Sequence, residues 1–256
     1  MREMSQQGTW RRRKTSSRPV RHPRDWHRVS EVSLGPGLFA FLRDLKRHNN
    51  REWFEKNRPR YVAEVEAPML AFIREVGERL PAVCPGFVAD PRRSGGSMFR
   101  IYRDTRFSAD KTPYKTWLAA RFGHRKARTA TTGPHAPAFY LHLAVDESYG
   151  GGGIYHADTP TLTRIRQRIV SHPQAWSAVL KSGIELQGDT LKRPPAGFDK
   201  THPFIEDLKR KDLYGLTAFT QAEVASARFI DRYMKACADV TPLVEFLATA
   251  VGLGRA

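Results

Sequence analysis

The apolar positions of this chain change their spacing twice. Between Gly35 and Leu80 they recur three and four residues apart, between Met98 and Ile154 they alternate, and from Leu162 they return to helical spacing. In "PGLFAFLRDLKRH", Leu38, Phe39, Phe41, Leu42 and Leu45 share one face, which predicts a helix. "NNREWFEKN" predicts a short second helix, capped by Asn49 or Asn50, that buries Trp53 and Phe54. Arg58-Pro59 predicts a further helix start, since proline suits an early helical position. That helix runs through Tyr61, Val65, Leu70, Phe72, Ile73, Val76 and Leu80. Pro68 is expected to kink or divide it, because proline lacks a backbone donor and its ring crowds the preceding turn.

The alternating stretch predicts strands. "MFRIYRD" places Phe99 and Ile101 on one face and Arg100 and Tyr102 on the other. "TWLAARFGH" predicts a second strand and "AFYLHLAV" a third, with Phe139, Leu141 and Leu143 inward. "YGGGGIYH" reads as a tight glycine turn into a fourth short strand. Short connections between neighbouring strands favour antiparallel pairing.

Helices then return. Asp158 or Thr159 caps a segment in which Leu162, Ile165 and Ile169 line one face, and "HPQAWSAVLKS" continues as helix. "LKRPPAGFDKTHP" is punctuated into a loop, "PFIEDLKRKD" is a short helix and "LYGLTAF" a strand. The chain closes on one long helix, or a pair broken near Pro242. The expected fold class is α+β, a central and mainly antiparallel sheet flanked by N-terminal and C-terminal helices.

The order of "NNREWFEKNRPRY", "FRIYRDTRFSADKTPYKTW", "FYLHL", "GGGGIY", "RIRQRI" and "LKRPPAGFDKTHP" resembles the family called domain of unknown function 2461. The resemblance covers roughly Gly35 to the C-terminus. It implies one α+β domain over residues 31–256, and it carries no established activity and no catalytic assignment.

Composition narrows the function classes. No apolar run approaches the roughly 20 residues that span a bilayer. "RRRK" at Arg11 to Lys14 lacks the apolar segment of an export signal, so a cytoplasmic location is expected. Cys84 and Cys237 are too few for a disulfide framework and read as buried thiols. The net charge of +17 is unevenly placed. Residues 1–30 carry nine Lys/Arg against two acids and read as a disordered basic tail. Residues 90–128 carry eleven against three, while the rest is nearly balanced. Concentrated positive charge draws anions.

The chemistry concentrates in "RDTRFSADKTPYK". Arg103, Arg106, Lys111 and Lys115 supply guanidinium forks and compact cations that match phosphate or carboxylate oxygens. Ser108, Thr112 and Tyr114 add hydroxyl donors. Asp104 and Asp110 orient the arginines, and Asp104 is a candidate general base. The expected ligand-binding set is Arg103, Arg106, Lys111, Tyr114 and Lys115. Asn50 and Arg51 could edge the same pocket, although Asn50 and Glu52 also read as capping residues. Lys192 and Arg193 are candidates to complete it from another side.

Other motifs add little. GxxxxGK[ST] and GxGxxG patterns are absent, so no cofactor is assigned. His142, His156 and Asp158 lack a metal-binding spacing and read as hydrogen-bonded polar residues, so no metal site is expected. Three function classes stand. The first is a binder of, or enzyme acting on, a small phosphorylated or other anionic molecule. The second is a nucleic-acid-binding protein that stacks bases on Tyr102, Phe107 or Tyr114. The third is an interaction protein whose charges pair internally.

Overall fold

The computed structural model describes residues 33–128 and 135–254. The basic tail of residues 1–30 lies outside the described residues. Helix α1 (Gly35–Arg47) buries the expected stripe of Leu38, Phe39, Phe41, Leu42 and Leu45. Helix α2 (Arg51–Tyr61) starts at Asn50, whose side chain accepts the Trp53 amide at 2.9 Å, so this is the cap.

No new helix begins at Pro59, which lies inside α2. The chain instead passes through a π-turn, Val62–Glu66, directly into α3 (Ala67–Val83). The Ala67 amide reaches back five residues to the Val62 carbonyl. Pro68 follows at once. Its ring would crowd the Glu64 carbonyl in a regular α-helix, and the wider turn is how the helix accommodates it. The proline is absorbed rather than used as a break.

The sheet is antiparallel throughout, ordered β1 (Trp117–Gly123), β2 (Ala138–Ala144), β3 (Ser148–Ile154) and β4 (Leu213–Ala218). The glycine run is therefore strand and not turn. Gly150 to Gly153 pair with β2 on one side and β4 on the other, and the turn lies earlier, where the Ala144 amide bonds the Glu147 carbonyl at 2.9 Å. The reason is the closing helix. Helix α8 (Phe229–Ala250) lies against β3, and a Cβ at Gly150 would come within 2.8 Å of Tyr233. One at Gly152 would come within 2.9 Å of Val244. Absent side chains let helix and strand backbone approach.

Helix α4 (Thr159–Ser171) is capped by Asp158, which accepts the Thr161 amide, and α5 (Pro173–Lys181) follows. The short α6 (Ile205–Leu208) precedes β4, and α7 (Gln221–Ala225) precedes α8. The C-terminal break falls between α7 and α8, while Pro242 lies within a continuous α8. Helix α8 also packs on α3, with Phe72 against Phe229 at 5.4 Å, and on α5, with Trp176 against Phe246 at 5.0 Å. The other face of the sheet carries a row of rings, with His142 between Tyr149 at 4.8 Å and Trp117 at 5.2 Å.

The segment "MFRIYRD" is not a strand of this sheet. It touches β1 through the Met98–Ala120 bridge and folds back on itself through Tyr102–Tyr114. Strict alternation also fails. Met98 and Ile101 are buried, whereas Phe99 turns onto the ring-bearing face against Trp117 and Tyr140. Cys84 and Cys237 are both buried and free, and burial pushes each thiol up to about 12. Among the described residues no helix is long and apolar enough to cross a membrane.

Candidate functional site

The basic segment is an excursion closed at its base. The Arg103 amide bonds the Pro113 carbonyl at 2.9 Å, and the Lys115 amide bonds the Ile101 carbonyl at 2.8 Å. One side chain fixes its returning limb to the helices. Asn49 donates to the Tyr114 carbonyl at 2.9 Å and accepts the Tyr114 amide at 3.1 Å, as a neighbouring strand would. The Tyr114 ring then stacks on Phe54 at 4.1 Å, beside the Phe41–Trp53–Tyr61 cluster. Tyr114 is thus a buried anchor, and burial raises its pKa.

Within the excursion the opposite charges meet close to home. Arg106 grips Asp104, two positions earlier, through Nε at 3.0 Å and Nη2 at 2.7 Å. That hydrogen bonding holds the Asp104 carboxyl at about 2, which makes it a poor proton acceptor near neutral pH. Arg103 pairs with Asp110 and reaches Thr112 Oγ1 at 3.1 Å. Asp110 also accepts the Thr112 amide and hydroxyl, which lowers its pKa before Arg103 adds to the effect. Lys111 has no carboxylate partner among the described residues and donates to the Thr105 carbonyl at 2.9 Å.

Between this excursion and the start of α2 lies an open concavity of about 880 Å³. Its rim brings together Arg103, Lys111 and Tyr114 from the expected set, with Asn49, Asn50 and Arg51 opposite. The Arg51 side chain has no hydrogen bond or ion pair among the described residues. Glu55, also on the rim, is held by Arg58 at 2.9 Å. The remaining expected residues stand elsewhere. Arg106 and Asp104 do not line the concavity. Lys115 points to the sheet, where its ammonium lies 4.9 Å from the Trp117 ring centroid and donates to the Arg100 carbonyl at 2.9 Å. Desolvation there lowers its pKa. Lys192 and Arg193 do not reach the rim.

The role of Asn49 is hidden in its local sequence. Its two-way bond to Tyr114 spans 65 positions, and an asparagine beside a helix start looks locally like a cap. Among the described residues no group of three or more His, Cys, Asp or Glu could hold a metal ion. His142 is engaged in its ring stack and Asp158 in capping α4.

A family model described as "Conserved hypothetical protein (DUF2461)" matches residues 37–246. The chain belongs to this family. The match takes in the sheet, the whole excursion, α2 to α7 and most of α1 and α8. DUF2461 membership supplies no activity. No curated protein and no solved structure matches the chain.

Proposed function

We propose that the concavity between α2 and the excursion binds the phosphoryl or carboxylate group of a small molecule. The observation that carries this reading is the pair Arg51 and Lys111. They line one concavity from opposite sides, and neither has a carboxylate partner among the described residues. Arg103, steadied by Asp110 and Thr112, supplies a third cation, and the amino end of α2 adds a favourable field. Tyr114 holds the excursion in place and does not donate to the ligand. Arg106 and Lys115 are outside the proposed contact set.

Thermal-shift measurements with inorganic phosphate and sugar phosphates test this reading. Ligand at 100 times its dissociation constant adds about 2.7 kcal/mol of stability. Replacing Arg51 and Lys111 together by alanine is expected to remove the shift and leave the unliganded melt unchanged. A shift that survives in the double variant sinks the proposal.

One observation favours a nucleic-acid reading as the alternative. Phe107 is 95% exposed at the tip of the excursion, with the Arg106 guanidinium 5.7 Å from its ring centroid, and Tyr102 is 46% exposed. Exposed rings beside cations stack bases. Tyr114 leaves that set because it is buried. Binding of single-stranded oligonucleotides that fades steeply with salt, and falls on Phe107→Ala, would favour this alternative.

A further inference from the structure

A second cavity of about 880 Å³ opens where β3 passes into α4. Two buried opposite charges line it, Arg166 at 7% exposure and Asp212 at 6%. No ion pair joins them, and neither pairs with any other charged side chain among the described residues. The surrounding charges are spoken for: Lys211 pairs with Asp189 at 3.0 Å, Arg210 with Asp207 at 3.4 Å and Lys209 with Glu206 at 2.8 Å.

Backbone groups alone hold the two in place. Arg166 donates from Nε to the Leu208 carbonyl at 2.7 Å and from Nη2 to the Arg210 carbonyl at 3.2 Å. A guanidinium has five N–H donors, and these bonds use two. Its Nη1 has no hydrogen bond among the described residues, although it belongs to a residue lining the cavity. Asp212 accepts the His156 amide at 2.7 Å and the Asp189 amide at 3.3 Å. His156, which donates that shorter bond, adopts φ 51°. A charge withdrawn from water and met only by neutral dipoles is poorly compensated. Two such charges of opposite sign, in one cavity and not paired with each other, invite a ligand that spans them.

The signs narrow its class. A phosphate or a dicarboxylate would bring surplus negative charge towards Asp212. A diamine would do the same with positive charge at Arg166. A zwitterion satisfies both ends, and Leu162, Leu191 and the Tyr155 and Tyr214 rings, 6.0 Å apart, offer an apolar wall for its body. We propose that this cavity binds a small zwitterion of the amino-acid class, a free amino acid or a di- or tripeptide, with its carboxylate on Arg166 and its ammonium on Asp212.

The test uses the full chain, with calorimetry and thermal shift against free amino acids, dipeptides and tripeptides. Each zwitterion is compared with its N-acetylated and C-amidated forms. At least one zwitterion is expected to bind, and each blocked form to lose at least tenfold in affinity. Arg166→Gln removes the carboxylate's partner and is expected to abolish binding. Because that variant also loses two carbonyl contacts, Ala196→Trp is the control for folding. Ala196 is an exposed residue lining the cavity, and a bulky ring there is expected to block the ligand without moving the unliganded melt. The Arg51→Ala, Lys111→Ala double variant is expected to bind the zwitterion normally, which separates this site from the phosphoryl site. No response to any amino acid or peptide overturns the proposal. So does equal binding of the blocked forms, or full binding by a folded Ala196→Trp variant.

Discussion

The two concavities have the same volume, about 880 Å³, and differ in how their charges are held. At the first, Arg103 sits in a short exposed excursion with its carboxylate, Asp110, seven positions away, and just outside the rim Arg106 holds Asp104, two positions away. In the second, the charges are buried, carried by α4 and by the residue before β4, and held by backbone. Charge dense in sequence neutralises itself where it stands, because flexible neighbours find one another in water at little cost. Charge that the fold buries, as at Arg166 and Asp212, has no such relief. The denser cluster is therefore not the one with the larger unmet electrostatic demand.

The largest expected effect that probes this contrast is Asp212→Ala. It leaves two backbone donors without an acceptor and deprives the Arg166 cavity of its balancing charge. A loss of about 3 kcal/mol follows, lowering the melting temperature by on the order of 10 °C. A melt within a degree of the parent's would mean that water serves those amides well.

Asn49→Ala comes next. It frees the buried Tyr114 backbone on both sides, at a cost of about 1–2 kcal/mol. Hydrogen exchange should quicken at Tyr114 and through residues 103–113, while the Asp212 wall keeps its protection. Uniform acceleration across both regions would deny the excursion its separate anchor.

The smallest effect concerns Asp104, and it sharpens the contrast by pH. Its folded pKa of about 2 lies below the ordinary aspartate value of roughly 3.9. The Arg106 contact therefore contributes fully above that ordinary value and is lost as pH falls from about 4 towards 2. An NMR titration should show the Asp104 carboxyl near 2 in the parent and higher in Arg106→Ala, still below the ordinary aspartate value because the amide of residue 106 keeps its hydrogen bond to Asp104. The variant's neutral-pH melt should match the parent's, since the pair is exposed. An unshifted titration in the variant would mean that another group holds the carboxylate.

Much of the fold was legible from spacing alone. The α1 stripe, β1, β2, β4 and the Asp158 cap follow local rules, and each is where its pattern put it. The failures share one cause. Gly150 to Gly153 carry the local signature of a turn, and the need for glycine in a strand shows only in the approach of Tyr233 and Val244 on α8, more than 80 positions away. Met98 to Arg103 alternate like a strand, but their partners are a few bonds on β1 and their own returning limb. The density of Arg and Lys in the sequence drew attention to the excursion. It gave no sign of which cations face the concavity and which are paired. Arg166 lies in "RIRQRI", where one arginine among several looks solvated, and nothing local shows that it alone is buried beside a cavity.

The π-turn before Pro68 sets a phase. Helix α2 presents Phe54 and Tyr61 to Phe41, with Phe54 also seating Tyr114, while α3 presents Phe72 to Phe229 and Tyr233. A turn holding one extra residue offsets two helical halves by about 100°. Deleting any one residue from Val62–Glu66 would put the two halves out of step, and either the aromatic seat of the excursion or the contact with α8 would rotate away. Chains of this kind should therefore tolerate substitution in the turn far better than a change in its length.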